Sequence, residues 1–434
     1  MKAFALLLPA IFLASTLFAQ DPAHIPPKVE LKDGDTFLFL GDSITHQCLY
    51  TQYVESYFYT RYPNRRIRFY NAGVSGDRAD DALLRFETDV SMHKPNYVSI
   101  LLGMNDGTYR HFDHETFQIY EKGMGKLLDK VDSIGATPIP MAPSLFDSRA
   151  LNPKVAKWIK ARDDARNYYN PLLSFYGAWL QEQALQRGLN YVDMNAPLAR
   201  ITQDQRRKDP NFTLIKDAVH PDEPGQVVMA TAMLNDLFVK SPVSRIKILR
   251  DAQGSPKAAG KDHGVSEIYQ VGKDGSLEFT HLAKSLPWVV PEEAQPGYKL
   301  AKAGHKFSSE RVQVVGLQPG NYKLTIDGAE ISTYTDSALA RGVEIQENPN
   351  TPQYQQALKV ANLNKARNKE AVYPLRELYR DLKRRRRNGQ DVSAYLPEFK
   401  EKTKAAIAKT VVYEDKIYQA NQPKPHKYKL QRLR

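Results

Sequence analysis

Between residues 36 and 238 the chain alternates short apolar runs with longer stretches of helical periodicity, and that alternation leaves few folds open. Residues 36–40, 67–70, 97–102, 137–141 and 189–193 read as strands. Residues 49–62, 79–93, 115–134, 171–187 and 223–238 read as helices, with Asn170 as the cap of the fourth and Pro171 at its first position. Strands that alternate with helices form a parallel sheet covered on both faces. Right-handed crossovers then predict a flavodoxin-like three-layer α/β/α sandwich over residues 30–240, with any active site at the carboxyl ends of its strands.

The pattern changes after residue 240. Residues 277–282, 311–317 and 321–326 read as strands, and Gln318-Pro319-Gly320 forms the turn between the last two. A small β-rich domain is expected over 241–335. A helical, basic C-terminal region is expected over 336–434, with helices at 361–387, broken at Pro374, and at 397–407, and an extended end from Gln422. Residues 361–434 carry 20 Lys and Arg against 8 Asp and Glu, an excess equal to the +12 of the whole chain. The basic character therefore belongs to this region. The run Lys383-Arg384-Arg385-Arg386-Arg387 reads as a solvated helix end, with contact to an acidic glycan or surface as the functional alternative. No nucleic-acid motif accompanies it, so nucleic acid is not an expected partner. Truncation after residue 240 is expected to leave any activity of the α/β unit largely intact.

Lys2, an apolar stretch over 4–18 and Ala19 read as a signal peptide over 1–20, which predicts a secreted or periplasmic protein. The stretch is shorter than the ~20 residues that span a bilayer, and no transmembrane segment is expected once it is removed. Cys48 is the single cysteine, so no intramolecular disulfide forms, and the core alone holds the fold. Cys48 is expected to be a small core residue.

Four short segments carry the candidate chemistry. Gly41-Asp42-Ser43 follows the first strand, where a serine is exposed at the start of a helix; its plainer reading is a helix cap. Asp217-Ala218-Val219-His220 precedes the last helix. A serine hydroxyl is a weak nucleophile that needs a base, and the base needs an orienting carboxylate. Asn71 to Gly76 and Gly103 to Asp106 follow the second and third strands, where glycine N–H groups and an asparagine amide can face one crevice. Trp158 and Asn167-Tyr168-Tyr169-Asn170 are candidate aromatic lining, with core packing as the default. His111 and His114 are candidate substrate contacts or solvated loop residues.

In order and context, GDS at 41–43, NAGVSGD at 71–77, GMND at 103–106 and DAVH at 217–220 resemble the SGNH hydrolases, also called GDSL-like lipases and acylhydrolases. Ile44 stands where the family name has Leu. The resemblance implies a serine ester hydrolase with Ser43 as nucleophile, His220 as base and Asp217 as its partner. It implies an oxyanion hole from Ser43, Gly76 and Asn105, and no metal or organic cofactor. Export and polar composition favour an acetylated polysaccharide as substrate. The alternatives are a lipase or lysophospholipase-type acylhydrolase, or a glycan- or cell-surface-binding protein on a hydrolase scaffold.

Overall fold

The structure is a computed structural model that describes residues 26–152, 157–260, 264–271 and 276–433; the expected signal peptide lies outside them. The first unit contains β1 (Thr36–Gly41), α1 (Ser43–His46), α2 (Leu49–Arg61), β2 (Arg68–Gly73), α3 (Ala79–Asp89), β3 (Tyr97–Leu101), α4 (His114–Ser133), β4 (Thr137–Met141), α5 (Arg162–Asp164), α6 (Asn170–Arg187), α7 (Ala196–Arg206) and α8 (Glu223–Leu237). The sheet is parallel, in the order β2-β1-β3-β4. The strand expected over 189–193 is reduced to a single parallel bridge from Met141 to Val192, at the β4 edge. The order and the helical layers make this a flavodoxin-like α/β/α sandwich. Right-handed crossovers place α2 on one face and α3, α4 and α6 on the other, and α8 returns to pack on α2.

Asn170 does not cap a helix. A π-helical turn over 165–169 runs straight into α6, so Asn170 has helical dihedrals, and its Oδ1 accepts from Phe146 N at 3.3 Å. A cap residue needs extended dihedrals, which this continuous helix denies it.

The second unit packs two sheets around Ile246, Val312, Phe279, Tyr322, Leu324 and Leu430. The four-stranded sheet, in the order β12-β9-β5-β6, uses β5 (Ser244–Arg250), β6 (Pro256–Ala258), β9 (Glu310–Val314) and β12 (Val343–Glu344). The five-stranded sheet, in the order β11-β10-β13-β8-β7, uses β7 (Val265–Val271), β8 (Ser276–Leu282), β10 (Asn321–Ile326), β11 (Ala329–Thr335) and β13 (Pro425–Arg432). Its central strand β13 pairs antiparallel with β10 and β8, so the last strand of the chain completes a unit that begins at Ser244. The intervening α9 (Gln295–Leu300) and α10 (Ala303–Phe307) bridge to the first unit, while His305 of α10 pairs with Glu344 of β12 at 3.0 Å. Trp288, Tyr298 and Phe307 join the apolar core of the first unit, with Trp288 and Phe307 edge-on to Tyr57 of α2.

After α11 (Asp336–Arg341) come α12 (Pro352–Arg367), α13 (Tyr373–Arg387) and α14 (Leu396–Ala420). The break expected at Pro374 is absent: α12 passes through a π-helical turn over 368–372 directly into α13, with Val372 and Tyr373 at helical dihedrals, and the widened turn just before Pro374 keeps the helix continuous. Of these, α12 packs along the outer face of α2 and α14 packs on α12, while α13 lies on α3. Asn364 Nδ2 donates to Gln52 O at 3.0 Å and Ser56 Oγ at 3.1 Å. Arg367 donates to Glu55 at 3.2 Å, Glu414 at 2.8 Å and Phe69 O at 2.9 Å. Ala357, Val360 and Ile417 enter the core of the first unit. The expectation that the chain beyond residue 240 is dispensable therefore fails on packing: removing it would uncover α2 and strand Glu55 without its cation.

Candidate active site

At the carboxyl end of β1 the chain turns sharply. A Cβ on Gly41 would lie 2.2 Å from Thr45 Oγ1 and 2.8 Å from Leu101 O, so only glycine lets α1 fold back onto the sheet. Asp42 is the residue that caps α1, through Oδ1 accepting from Ile44 N at 2.9 Å. That leaves the hydroxyl of Ser43 for another partner. Ser43 Oγ lies 2.8 Å from His220 Nε2, and His220 Nδ1 lies 2.7 Å from Asp217 Oδ2. Since a carboxylate only accepts, the proton sits on Nδ1 and Nε2 accepts from the serine. Asp217 Oδ1 accepts from Val219 N at 3.0 Å and His220 N at 2.7 Å, with Ala218 between them at φ +70°. One carboxylate thus shapes the loop and aims the ring. Burial acts to raise the Asp217 carboxyl, but these hydrogen bonds from His220 and Val219 outweigh it and hold it below the usual carboxylate range.

Two further loops face the same crevice. Gly76 has φ +78° with open space where a side chain would stand, so its backbone is accessible. Asn105 Nδ2 donates to Asp77 O at 3.0 Å, and Asn105 Oδ1 accepts from Tyr109 OH at 3.1 Å. A carbonyl on one side and a phenol on the other fix the amide's orientation. Asp106 ties the two loops together, accepting from Ala79 N and Gly103 N at 2.9 Å each. Burial pushes its carboxyl up to about 7, against those two N–H donors. Gly76 and Asn105 wall a cleft of about 490 Å³.

The GDSL-like lipase/acylhydrolase family matches residues 39–228, the span that contains these loops. Residues 39–228 are an SGNH hydrolase domain. The chain is 25% identical over 232 residues to an acetylxylan esterase of Geobacillus stearothermophilus, which covers 48% of this chain and 96% of the relative. It is 53% identical over 36 residues to the uncharacterized lipoprotein YqeF of Bacillus subtilis (strain 168), covering 8% of this chain and 15% of that protein. The solved structure of a gut microbial diltiazem-metabolizing enzyme, BT4096, superposes with a TM-score of 0.78 at 26% identity, covering 95% of this chain and 100% of that one. The protein is a carboxylic ester hydrolase. The likeness to BT4096 runs beyond the SGNH domain, through the β-rich unit and the C-terminal helices.

Several side-chain pairings that support the SGNH crevice gave no signal in the sequence. Asp147 donates its N–H to Ala218 O at 2.9 Å, while its carboxylate accepts from Arg206 at 2.6 Å and Thr213 Oγ1 at 2.5 Å, so it anchors the loop that carries His220. Asp77, whose carbonyl holds Asn105, is buried and pairs with Arg85 at 2.6 Å and with Lys383 of α13. The basic run is thus not the free surface that its composition suggested. Lys383 is buried against Asp77, Arg384 and Arg385 pair with Asp381, and Arg386 donates to Leu84 O at 3.1 Å. Only Arg387 is left to line the crevice cleft. Close side-chain pairing over such a separation leaves no local pattern to read.

The remaining candidates divide. Cys48 is buried at φ +61°, and burial pushes its thiol up to about 11, so it is a protonated packing residue at neutral pH. His111 pairs with Asp164 at 2.9 Å on the surface, His114 opens α4, and neither lines the cleft. Trp158 lines the cleft and meets Tyr109 edge-on at 4.7 Å. Tyr169 is core, with its OH on Met104 O at 2.5 Å.

Proposed function

We propose that the protein is an exported serine esterase that removes acetate or another small acyl group from a carbohydrate, with Ser43, His220 and Asp217 as its triad. One observation carries the reading: Ser43 Oγ, the His220 ring and the Asp217 carboxylate stand in an unbroken line at 2.8 and 2.7 Å. In this mechanism Nε2 takes the hydroxyl proton as Oγ bonds to the ester carbonyl carbon. Negative charge moves to the carbonyl oxygen, toward the N–H groups of Ser43 and Gly76 and the Asn105 amide, and losing one such donor costs ~10²–10³ in rate. The imidazolium, stabilised by Asp217, gives its proton to the departing alcohol and leaves an acyl group on Ser43. Water then gives a proton to Nε2 and attacks the acyl carbon, which releases the acid and restores the serine.

A small acyl group is supported by the acetylxylan esterase relative, whose name gives an acetylated sugar polymer as its substrate. The cleft beside Asn105 has Arg78, Asp81, Arg110 and Lys160 on its walls, which suits a polar substrate better than a lipid tail. The stretch over 4–18 with Lys2 before it supports export. Acetate release from an acetylated xylo-oligosaccharide by parent and Ser43→Ala tests the proposal. The variant should lose about 10⁴-fold or more in turnover. Parent-level activity would remove Ser43 from the chemistry, and cleavage of phospholipid without release of sugar acetate would overturn the carbohydrate assignment.

A further inference from the structure

Resting on this esterase reading, we infer that the cleft beside Gly76 and Asn105 is a subsite for an anionic substituent, a carboxylate or a sulfate, on the sugar that carries the acyl group. Four cations from separate segments converge on it. Arg78 follows β2, Arg110 follows β3, Lys160 precedes α5, and Arg387 ends α13. None of the four has an ion-pair partner among the described residues. The one carboxylate on the cleft wall is already engaged: Asp81 accepts from Arg78 N at 3.2 Å and pairs with Lys383 at 3.5 Å. This convergence is not a by-product of a basic chain, since all of the net charge lies in residues 361–434 and residues 1–360 balance to zero. Nor is it typical of the run that supplies Arg387, whose other four members are spent on Asp77, Asp381 and Leu84 O.

Unpaired cations around one concavity repel each other and concentrate anions, an arrangement that a bound anion relieves. Guanidinium groups also match a pair of oxygens on a carboxylate or a sulfate. The same cleft offers a surface for the ring itself. Trp158 is 52% exposed and is held edge-on by Tyr109 at 4.7 Å, so its indole presents an apolar face to a sugar. Gly76 and Asn105 line the cavity too, so the acyl carbonyl and the anion would occupy one space of about 490 Å³, within the usual range of a small-molecule site. Substrate selection then follows charge: a neutral acetylated sugar would leave the cations unserved, and an acidic one would satisfy them.

The test compares kcat/KM on acetylated oligosaccharides of matched length, one neutral, one of uronic acids and one sulfated, at low and high salt. The parent should favour an acidic substrate by about tenfold or more, with the preference shrinking as salt rises. Arg387→Glu and Arg110→Glu, both at exposed positions, should cut the acidic-to-neutral ratio at least about tenfold, through KM more than kcat. The favoured acidic arm identifies the anion as carboxylate or sulfate. A parent ratio near unity, or a ratio that neither variant moves, overturns the subsite. Turnover of an aryl acetate reads the Ser43 chemistry separately. Should that chemistry fail, calorimetric binding of deacetylated oligouronate and sulfated oligosaccharide to Ser43→Ala still decides the subsite, which stands if Arg387→Glu weakens binding and falls if it does not.

Discussion

In the crevice, buried or half-buried carboxylates are served by backbone N–H groups close by in the chain: Asp42 by Ile44, and Asp217 by Val219 and His220. Under the C-terminal helices the buried carboxylates are served by cationic side chains from the far end of the chain, Glu55 by Arg367 and Asp77 by Lys383. A backbone N–H needs no desolvation of a charged partner and survives most substitutions around it. A buried ion pair costs much to desolvate and leaves an uncompensated charge when one member is lost. The crevice can therefore lose chemistry without losing its fold, whereas the helical cover should lose stability first. Lys383 joins the two regimes, since the Asp77 it neutralises also holds Asn105 through its carbonyl.

The largest separation between the two regions should come from Asp217→Asn. The amide cannot fix the tautomer that the carboxylate fixes, so turnover should fall by about 10⁴ in kcat. Thermal unfolding should barely move, and a large loss of stability would break the contrast. Next comes Arg367→Met. It strands Glu55 and Glu414, which are the carboxylates around the guanidinium, and should cost about 3–5 kcal/mol in urea unfolding. The folded fraction should keep near-parent kcat on an aryl acetate.

The smallest effect concerns acid. His93 stacks on Tyr70 at 4.1 Å and reaches Tyr379 OH of α13 at 2.7 Å, and burial pushes its ring down to about 4. A depressed folded value means that the unfolded chain takes the proton first. Its contribution is present above about pH 6.5 and is lost as pH falls toward 4, by no more than about 2 kcal/mol at pH 5. Asp42 and Asp106, raised by burial to about 7, run the other way and lose their contribution as pH rises through 7. Hydrogen exchange read at α13 itself separates the two, with faster exchange expected at pH 5 than at pH 7 once the intrinsic rates are corrected for.

What the sequence made legible follows the same division. Strand β1 and the Asp217–His220 loop rest on residues adjacent in the chain, so apolar runs and short motifs revealed them, whereas the cap of α1, read at Ser43, falls on Asp42. Asn170 misled because a favoured cap residue and the following proline mimic a helix start, while a π-helical turn upstream keeps the helix continuous. Strand β13 was read only as an extended end, since its place between β8 and β10 depends on partners far along the chain. Lys383 read as one of five equivalent cations, and only the packing of α13 against α3 gives it a different fate. Local encoding is visible in a string of residues; pairing across hundreds of positions is not.

The most direct test of the nucleophile is covalent. A fluorophosphonate incubated with the parent protein should modify one serine, and the labelled peptide should contain Ser43, with labelling abolished in Ser43→Ala and strongly slowed in His220→Ala. Label on another serine, or an unlabelled Ser43 in a preparation that turns over aryl acetate, would contradict the account.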